Sequence, residues 1–260
     1  MLLALLLACP SAYDRGQQAL DRGDLVTAEQ SFRVALADNP DDVDAMYGVG
    51  WTFHLAGERA PARDVFEQLR IRFPESPLGY RGLGSLLMAQ GEYAAARTEF
   101  TLALQRAPGD PRTSQSFALL ELAEGKTDDA LGRIDTALAV DNSSPELHQT
   151  RAAILERLER TDEALAAIDA ARARSDSPRS LATVEVTRAH ILVGHATSRV
   201  DVEHCEGASA VLAWLDEADR ALDVAQATGV HPEQVAAGRT ELRRRRGFVE
   251  DTCTDPAARK

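Results

Sequence analysis

Two glycine pairs, Gly48-Val49-Gly50 and Gly82-Leu83-Gly84, have the spacing with which a backbone begins to close around phosphate. A phosphate loop also needs a third glycine after a strand, or a lysine at the head of a helix, and neither follows here. The pairs read instead as places where helices approach closely. His190 and His195 are five residues apart, off the i, i+4 spacing that sets two imidazoles on one helical face around a metal. His204-Cys205 offers two ligands, but a metal site needs a complete set of known geometry. The carboxylate pairs Asp41-Asp42 and Asp128-Asp129 stand at turns and helix starts, where solvation and the helix dipole account for them. The expectation is a chain without catalytic residues, metal, cofactor or small-molecule substrate. Three features of a different kind remain: Cys9 at the end of an apolar run, the later pair Cys205 and Cys253, and the run Arg243 to Arg246.

The elements that must position any site are helices. Aromatic residues make up only 5 % of the 260 residues, while Ala, Leu, Arg, Asp and Glu dominate, a composition that favours helix over sheet. With 41 acidic against 29 basic residues the formal charge is −12, which repels nucleic acid unless a local patch overrides it. The arginine run has two readings. It complements the negative end of a last helix, or it meets anionic lipid headgroups at about 1 kcal/mol per residue near the surface.

The opening MLLALLLACPS resembles the leader of bacterial lipoproteins, in which Cys9 would be lipidated and residues 1–8 removed. It departs from that pattern in having no Lys or Arg before the apolar run, which is short for a signal segment. The alternative is an apolar tail packed on the first helix pair. Residues 1–8 are too few to span a bilayer. With Cys9 lipidated, Cys205 and Cys253 form an even pair, as an oxidising compartment permits. Bonded, they would close a long loop and stabilise by roughly 4 kcal/mol on the chain-entropy model. Unbonded, they are two thiols of a cytosolic protein.

A period of 34 residues runs through the chain. Gly23 recurs as Gly57, Gly91 and Gly125; Ala28 as Ala62, Ala96, Ala130 and Ala164; Phe32 as Phe66 and Phe100, continued by Ile134 and Ile168; Pro40 as Pro74 and Pro108; and Gly16 as Gly50 and Gly84, then Ala118 and Ala152. Residue types repeating in phase without an insertion resemble the tetratricopeptide repeat and its A-x3-F…P signature. Each unit is then a helix pair. Gly50 and its equivalents let the second helix approach where Ala28 and its equivalents face it. Gly23 and its equivalents end the first helix in the left-handed conformation, and the prolines stop the second. The resemblance implies an all-α, right-handed solenoid, because no unit hides its apolar face alone. Five regular units are expected at 9–42, 43–76, 77–110, 111–144 and 145–178. An expanded helix pair should follow at 179–227, then a capping helix at 228–247 and a tail at 248–260.

In this family partners lie on the wall built by the first helices. By repeat position that wall would carry Tyr13, Gln17, Tyr47, Trp51, His54, Arg81, Ser85, Met88, Gln115, Leu119 and Gln149. Aromatic and arginine side chains anchor binding because they bury large area at small entropic cost, although Tyr47 and Trp51 serve equally well as core filling. Cochaperone members grip a carboxylate with a lysine and asparagine set. Tyr47, Arg81 and Gln115 stand at the lysine-type positions here and Trp51, Ser85 and Leu119 at the asparagine-type positions, so that clamp is absent. The resemblance implies a protein-interaction scaffold that takes a helix or extended segment with apolar anchors. The leader places it on the periplasmic face of a bacterial membrane, similar in outline to pilotin-type or barrel-assembly lipoproteins. Without the leader it is a cytoplasmic adaptor.

Overall fold

Asp42, Ser76, Asp110 and Ser144 recur at the repeat interval, and each accepts a hydrogen bond from a backbone N–H two or three residues on, capping the helix that follows. Such a cap is worth about 1 kcal/mol. Pro77, Pro111 and Pro145 take the first helical position, where no N–H is needed. Ser11, off that interval, caps α1 with a capping box closed by Asp14.

The computed structural model describes residues 10–198 and 207–254, and among these it is all-α with no strand. The helices are α1 (Ala12–Asp21), α2 (Leu25–Asp38), α3 (Val43–Leu55), α4 (Arg59–Arg72), α5 (Pro77–Ala89), α6 (Tyr93–Arg106), α7 (Pro111–Ala123), α8 (Thr127–Val140), α9 (Pro145–Arg157), α10 (Thr161–Arg174), α11 (Pro178–Ser198), α12 (Ala208–Ala227) and α13 (Pro232–Val249). A π-helical turn, Glu250–Thr254, continues α13. The chain forms two compact units, one through Glu124 and one from Gly125. The first holds α1–α7, and the second holds α8–α13. In both, successive first helices of the hairpins (α1, α3, α5 and α7; α9, α11 and α13) pack on one another more closely than successive second helices do. Each stack therefore curves with its first helices on the inner side.

The glycines work against rings. A Cβ on Gly16 or Gly48 would meet Phe32 at 2.6 or 2.8 Å, and one on Gly50 or Gly82 would meet Phe66 at 2.6 or 2.3 Å. Both rings are fully buried, so each phenylalanine is gripped by a glycine of its own hairpin and another of the next. This corrects the expected partner, because the close approach is to the ring and not to the alanine at position 28. In the fifth hairpin the glycine is Ala152 and the ring is Ile168, both fully buried in one cluster. Gly23, Gly57, Gly91 and Gly125 have φ of 74°, 76°, 78° and 77°, the left-handed caps the spacing called for. Glu159, one repeat after Gly125, holds φ 58° without being glycine.

Arginines at the ends of second helices reach the loops between hairpins. Arg72 donates to the Pro40 carbonyl at 3.1 Å and to the Asp41 carboxylate at 2.7 Å, Arg106 to the Pro74 carbonyl at 3.3 Å, and Arg174 to the Asn142 carbonyl at 2.6 Å. Two boundaries differ from expectation. The last helix starts at Pro232, and residues 248–254, expected as tail, stay helical with Val249 and Cys253 buried. The arginine run accordingly lies inside α13, where Arg245 bonds Glu241 at 2.6 Å and Arg246 bonds Asp216 at 2.6 Å. The leader 1–8, Cys9, His204, Cys205 and residues 255–260 lie outside the described residues.

Candidate functional site

On α3, Tyr47, Trp51 and His54 follow one another at i, i+4 and i+7, the spacing of one helical face. Tyr47 stacks on Trp51 with ring centroids 6.0 Å apart and planes 14° from parallel, and Trp51 meets the His54 imidazole at 4.9 Å. Tyr47 also leans on Phe66 at 5.6 Å. This row is half-buried and rests on the core formed by Ala62, Phe66, Leu83 and Leu86. Burial pushes the His54 imidazole below its ordinary value, so it is neutral near pH 7.

Arg81 and Ser85, named from the sequence as wall residues, are only 6 % and 5 % exposed. Arg81 is consumed internally. Its guanidinium lies 4.7 Å over the Tyr47 ring, donates from Nε to the Tyr47 hydroxyl at 3.3 Å and pairs with Asp110 at 3.4 Å. Since Asp110 also caps α7, one arginine ties α3, α5 and α7 together. It is a positioning residue, and its charge is neutralised before it reaches a ligand.

Tyr13 on α1 packs at 5.7 Å against Phe32, and its hydroxyl accepts a hydrogen bond from Gln17 at 2.7 Å. Burial raises the phenol above its usual value; Asp44 and Asp42 add to the rise, while the Gln17 bond and Arg112 oppose it. Met88 is half-buried against the cluster of Phe100, Phe117 and Leu120. Gln115 is half-buried on α7, and Leu119 is 36 % exposed. Gln149 belongs to the second unit, where it donates to Thr187 at 3.1 Å, and so stands apart from this set. The reading of the wall missed Leu55, 43 % exposed on α3. It lies one turn beyond Trp51, and the i, i+4 step that linked Tyr47 to Trp51 would have found it.

The adjacent first helices α3, α5 and α7 thus present Tyr47, Trp51, His54, Leu55, Met88 and Leu119, an aromatic and aliphatic strip with a neutral imidazole. Among the described residues no group of three His, Cys, Asp or Glu is placed to hold a metal, and no helix is long and apolar enough to cross a membrane. Cys253 is 2 % exposed and disulfide-bonded.

Residues 13–63 and 56–111 match a family model described as tetratricopeptide repeat, and residues 87–154 match a second model of that description. Among curated proteins, tetratricopeptide repeat protein 8 of Caenorhabditis elegans is 39 % identical over 54 residues, 21 % of this chain and 11 % of that protein. Cellulose synthase operon protein C of Komagataeibacter xylinus is 38 % identical over 65 residues, 25 % of this chain and 5 % of that protein. The chain therefore spans a small part of the curated relatives it matches. Among solved structures, a thermophilic tetratricopeptide repeat protein of Thermus thermophilus superposes with a TM-score of 0.57 at 25 % identity, covering 63 % of this chain and 90 % of that one. PilW, a type IV pilus biogenesis factor, gives 0.57 at 15 % identity, covering 87 % and 96 %. The Cut9–Hcn1 complex gives 0.63 at 14 %, covering 90 % and 42 %, and these last two likenesses speak to the fold alone. Repeat interval, left-handed glycines, hairpin stacking and family models agree over more than half its length, and the chain belongs to the tetratricopeptide repeat proteins.

Proposed function

We propose that the first unit holds a segment of a partner protein against the strip on α3, α5 and α7, with apolar side chains of the partner as its anchors. The observation that carries this reading is the α3 face, where Trp51 stays half-buried while Leu55 reaches solvent and Arg81 has spent its charge on Tyr47 and Asp110. An acidic tail finds no lysine clamp here. An amphipathic helix or extended segment finds aromatic area at small entropic cost.

Cys9 ends a run with the character of a lipoprotein leader, Cys253 is disulfide-bonded as oxidising compartments allow, and the fold is shared with a pilus biogenesis factor. We read the protein as a lipid-anchored scaffold on the periplasmic face of a bacterial membrane that assists assembly of an envelope complex. Cys205 is then the partner of Cys253.

Affinity capture from a membrane extract, comparing the wild type with Trp51→Ala and Leu55→Asp, tests the strip. A captured protein should be lost at least tenfold in both, as for a central anchor worth about 2 kcal/mol. Leu55 is exposed, so its variant should keep the wild-type melting temperature. Equal capture by all three forms sinks the strip as the binding surface. The anchor is tested separately by palmitate labelling in bacteria, where label should appear in the wild type and vanish in Cys9→Ala.

A further inference from the structure

The arginines that fasten one hairpin to the next follow a register. Arg72, Arg106 and Arg174 each stand six residues after Phe66, Phe100 and Ile168, and each crosses to the carbonyl of the loop residue 32 positions back. In the sixth hairpin the ring position is held by Leu222, fully buried. The structure confirms this register independently. A Cβ on Gly238 would meet Leu222 at 3.0 Å, as one on Gly82 would meet Phe66 at 2.3 Å, and both glycines lie sixteen residues after their partner. Six residues beyond Leu222 is Thr228, where the second, third and fifth hairpins have arginine and the first and fourth have Asp38 and Val140.

Thr228 does not reach across. Its hydroxyl donates to the Ala225 carbonyl at 2.6 Å and accepts from the Val230 N–H at 3.1 Å, which closes the end of α12 on itself. A cleft of about 500 Å³ is left between α12 and the loop leading to α11, with Asp176, Ser177, Leu181, Val224, Ala227 and Thr228 among its walls. The equivalent groove at the second hairpin, with Arg72 in place, is about 250 Å³. Asp176 occupies the loop position of Pro40, Pro74 and Asn142, whose carbonyls take an arginine. It is exposed, and neither its carbonyl nor its carboxylate has a hydrogen bond or ion pair among the described residues. Arg179 is not part of the cleft wall, and it is engaged elsewhere.

We propose that this cleft is a socket for an arginine side chain of a partner protein. The guanidinium sits against the carbonyl and carboxylate of Asp176, as Arg72 sits between the Pro40 carbonyl and the Asp41 carboxylate, and its methylenes lie along Leu181 and Val224. The walls match the occupant in charge and in amphipathic form, since an arginine stem packs on apolar surface while its fork bonds oxygen. The site is in the second unit and does not depend on the strip of the first.

The test is a titration of the full chain, followed by amide NMR, with N-acetyl-arginine methylamide and with its citrulline counterpart, which keeps the shape and lacks the charge. Shifts are expected at Ser177, Leu181 and Thr228 with the arginine compound, and affinity for the citrulline compound should be at least about tenfold lower, as befits a charge-assisted bond. Asp176→Asn should weaken arginine binding without altering the fold. Thr228→Arg, which supplies the missing side chain from within, should abolish the shifts and raise the melting temperature. Equal response to citrulline, shifts that persist in Thr228→Arg, or no response in the wild type would overturn the proposal. So would an Asp176→Asn variant that changes the free chain's stability or sedimentation, because an arginine of the same molecule or of a second copy would then already hold the cleft.

Discussion

A methyl group added at Gly50 would lie 2.6 Å from a ring that has no room to move, since Phe66 is fully buried. Gly50→Ala gains about 1 kcal/mol of helix propensity, but overpacking a tight core costs about 1–3 kcal/mol, so a net loss is expected. The fifth hairpin shows the compensation, with Ala152 facing Ile168. Gly50→Ala should therefore destabilise the wild type and be better tolerated in a Phe66→Ile background, with a coupling of about 1 kcal/mol or more in a double-mutant cycle measured by urea unfolding. Glu159 offers the reverse case. Its left-handed φ of 58° costs a side chain about 1–2 kcal/mol, and glycine returns part of that through the entropy of its unfolded state. Glu159→Gly should raise stability by roughly 0.5–1 kcal/mol, and an unchanged urea midpoint would mean that the loop has relaxed around the glutamate. Both series were legible in the sequence, because the swap of Gly with Ala tracks the swap of Phe with Ile at a constant interval. The burial of Arg81 and Ser85 was not. A repeat position assigns a face, but the depth of that face depends on how near the adjoining helices come.

Among the helices, the hairpins were legible because caps, breakers and apolar spacing all act locally. The arginine fastenings were not, although Arg72, Arg106 and Arg174 share one interval, since an arginine in a last turn is already explained by the helix dipole. Nor was the full length of α13, because the residues that carry it on through Cys253 are held by burial and a covalent bond. Three of the histidines near helix ends have lowered values: His54 in the last turn of α3, His148 in the first turn of α9, and His231 at the start of α13. Burial is the leading cause that lowers each. A folded value below the unfolded one means that the unfolded chain binds more protons as acid is added. Their contribution is complete above about pH 6.5, the ordinary imidazole value, and is lost as pH falls through the folded values. Glu99 runs the other way. Burial raises its carboxyl, with Glu67 adding to the rise and Arg70 opposing it, so its contribution is present in acid and lost as pH rises. Urea unfolding of Glu99→Gln between pH 7.5 and 5 should isolate the histidine term as a steady fall in stability. A flat profile in that variant would show that the three imidazoles are as easily protonated folded as unfolded.

For the molecule as a whole, stacked hairpins pass stability mainly to their neighbours, so a constraint at one end need not be felt at the other. The regular interval ends near residue 179 because α11 and α12 lengthen to 21 and 20 residues, beyond what a 34-residue unit holds. The end that has lost its regular register is also the one with the disulfide. Val249 and Cys253 are buried in the last turns, and Val249 joins Val235 and Leu242 in the cluster that seats α13 on α11 and α12. Cross-linking a chain removes entropy from its unfolded ensemble, by about 4 kcal/mol for a loop of the length expected from Cys205 to Cys253. Reduction should therefore raise amide hydrogen exchange in α13 and the turn after it, with a smaller rise in α12. Exchange in α1–α7 should stay at its oxidised level, because the nearest-neighbour character of the stack confines the loss. A uniform rise from α1 to α13 would mean that the chain unfolds as a single cooperative body and that its terminal bond governs all of it.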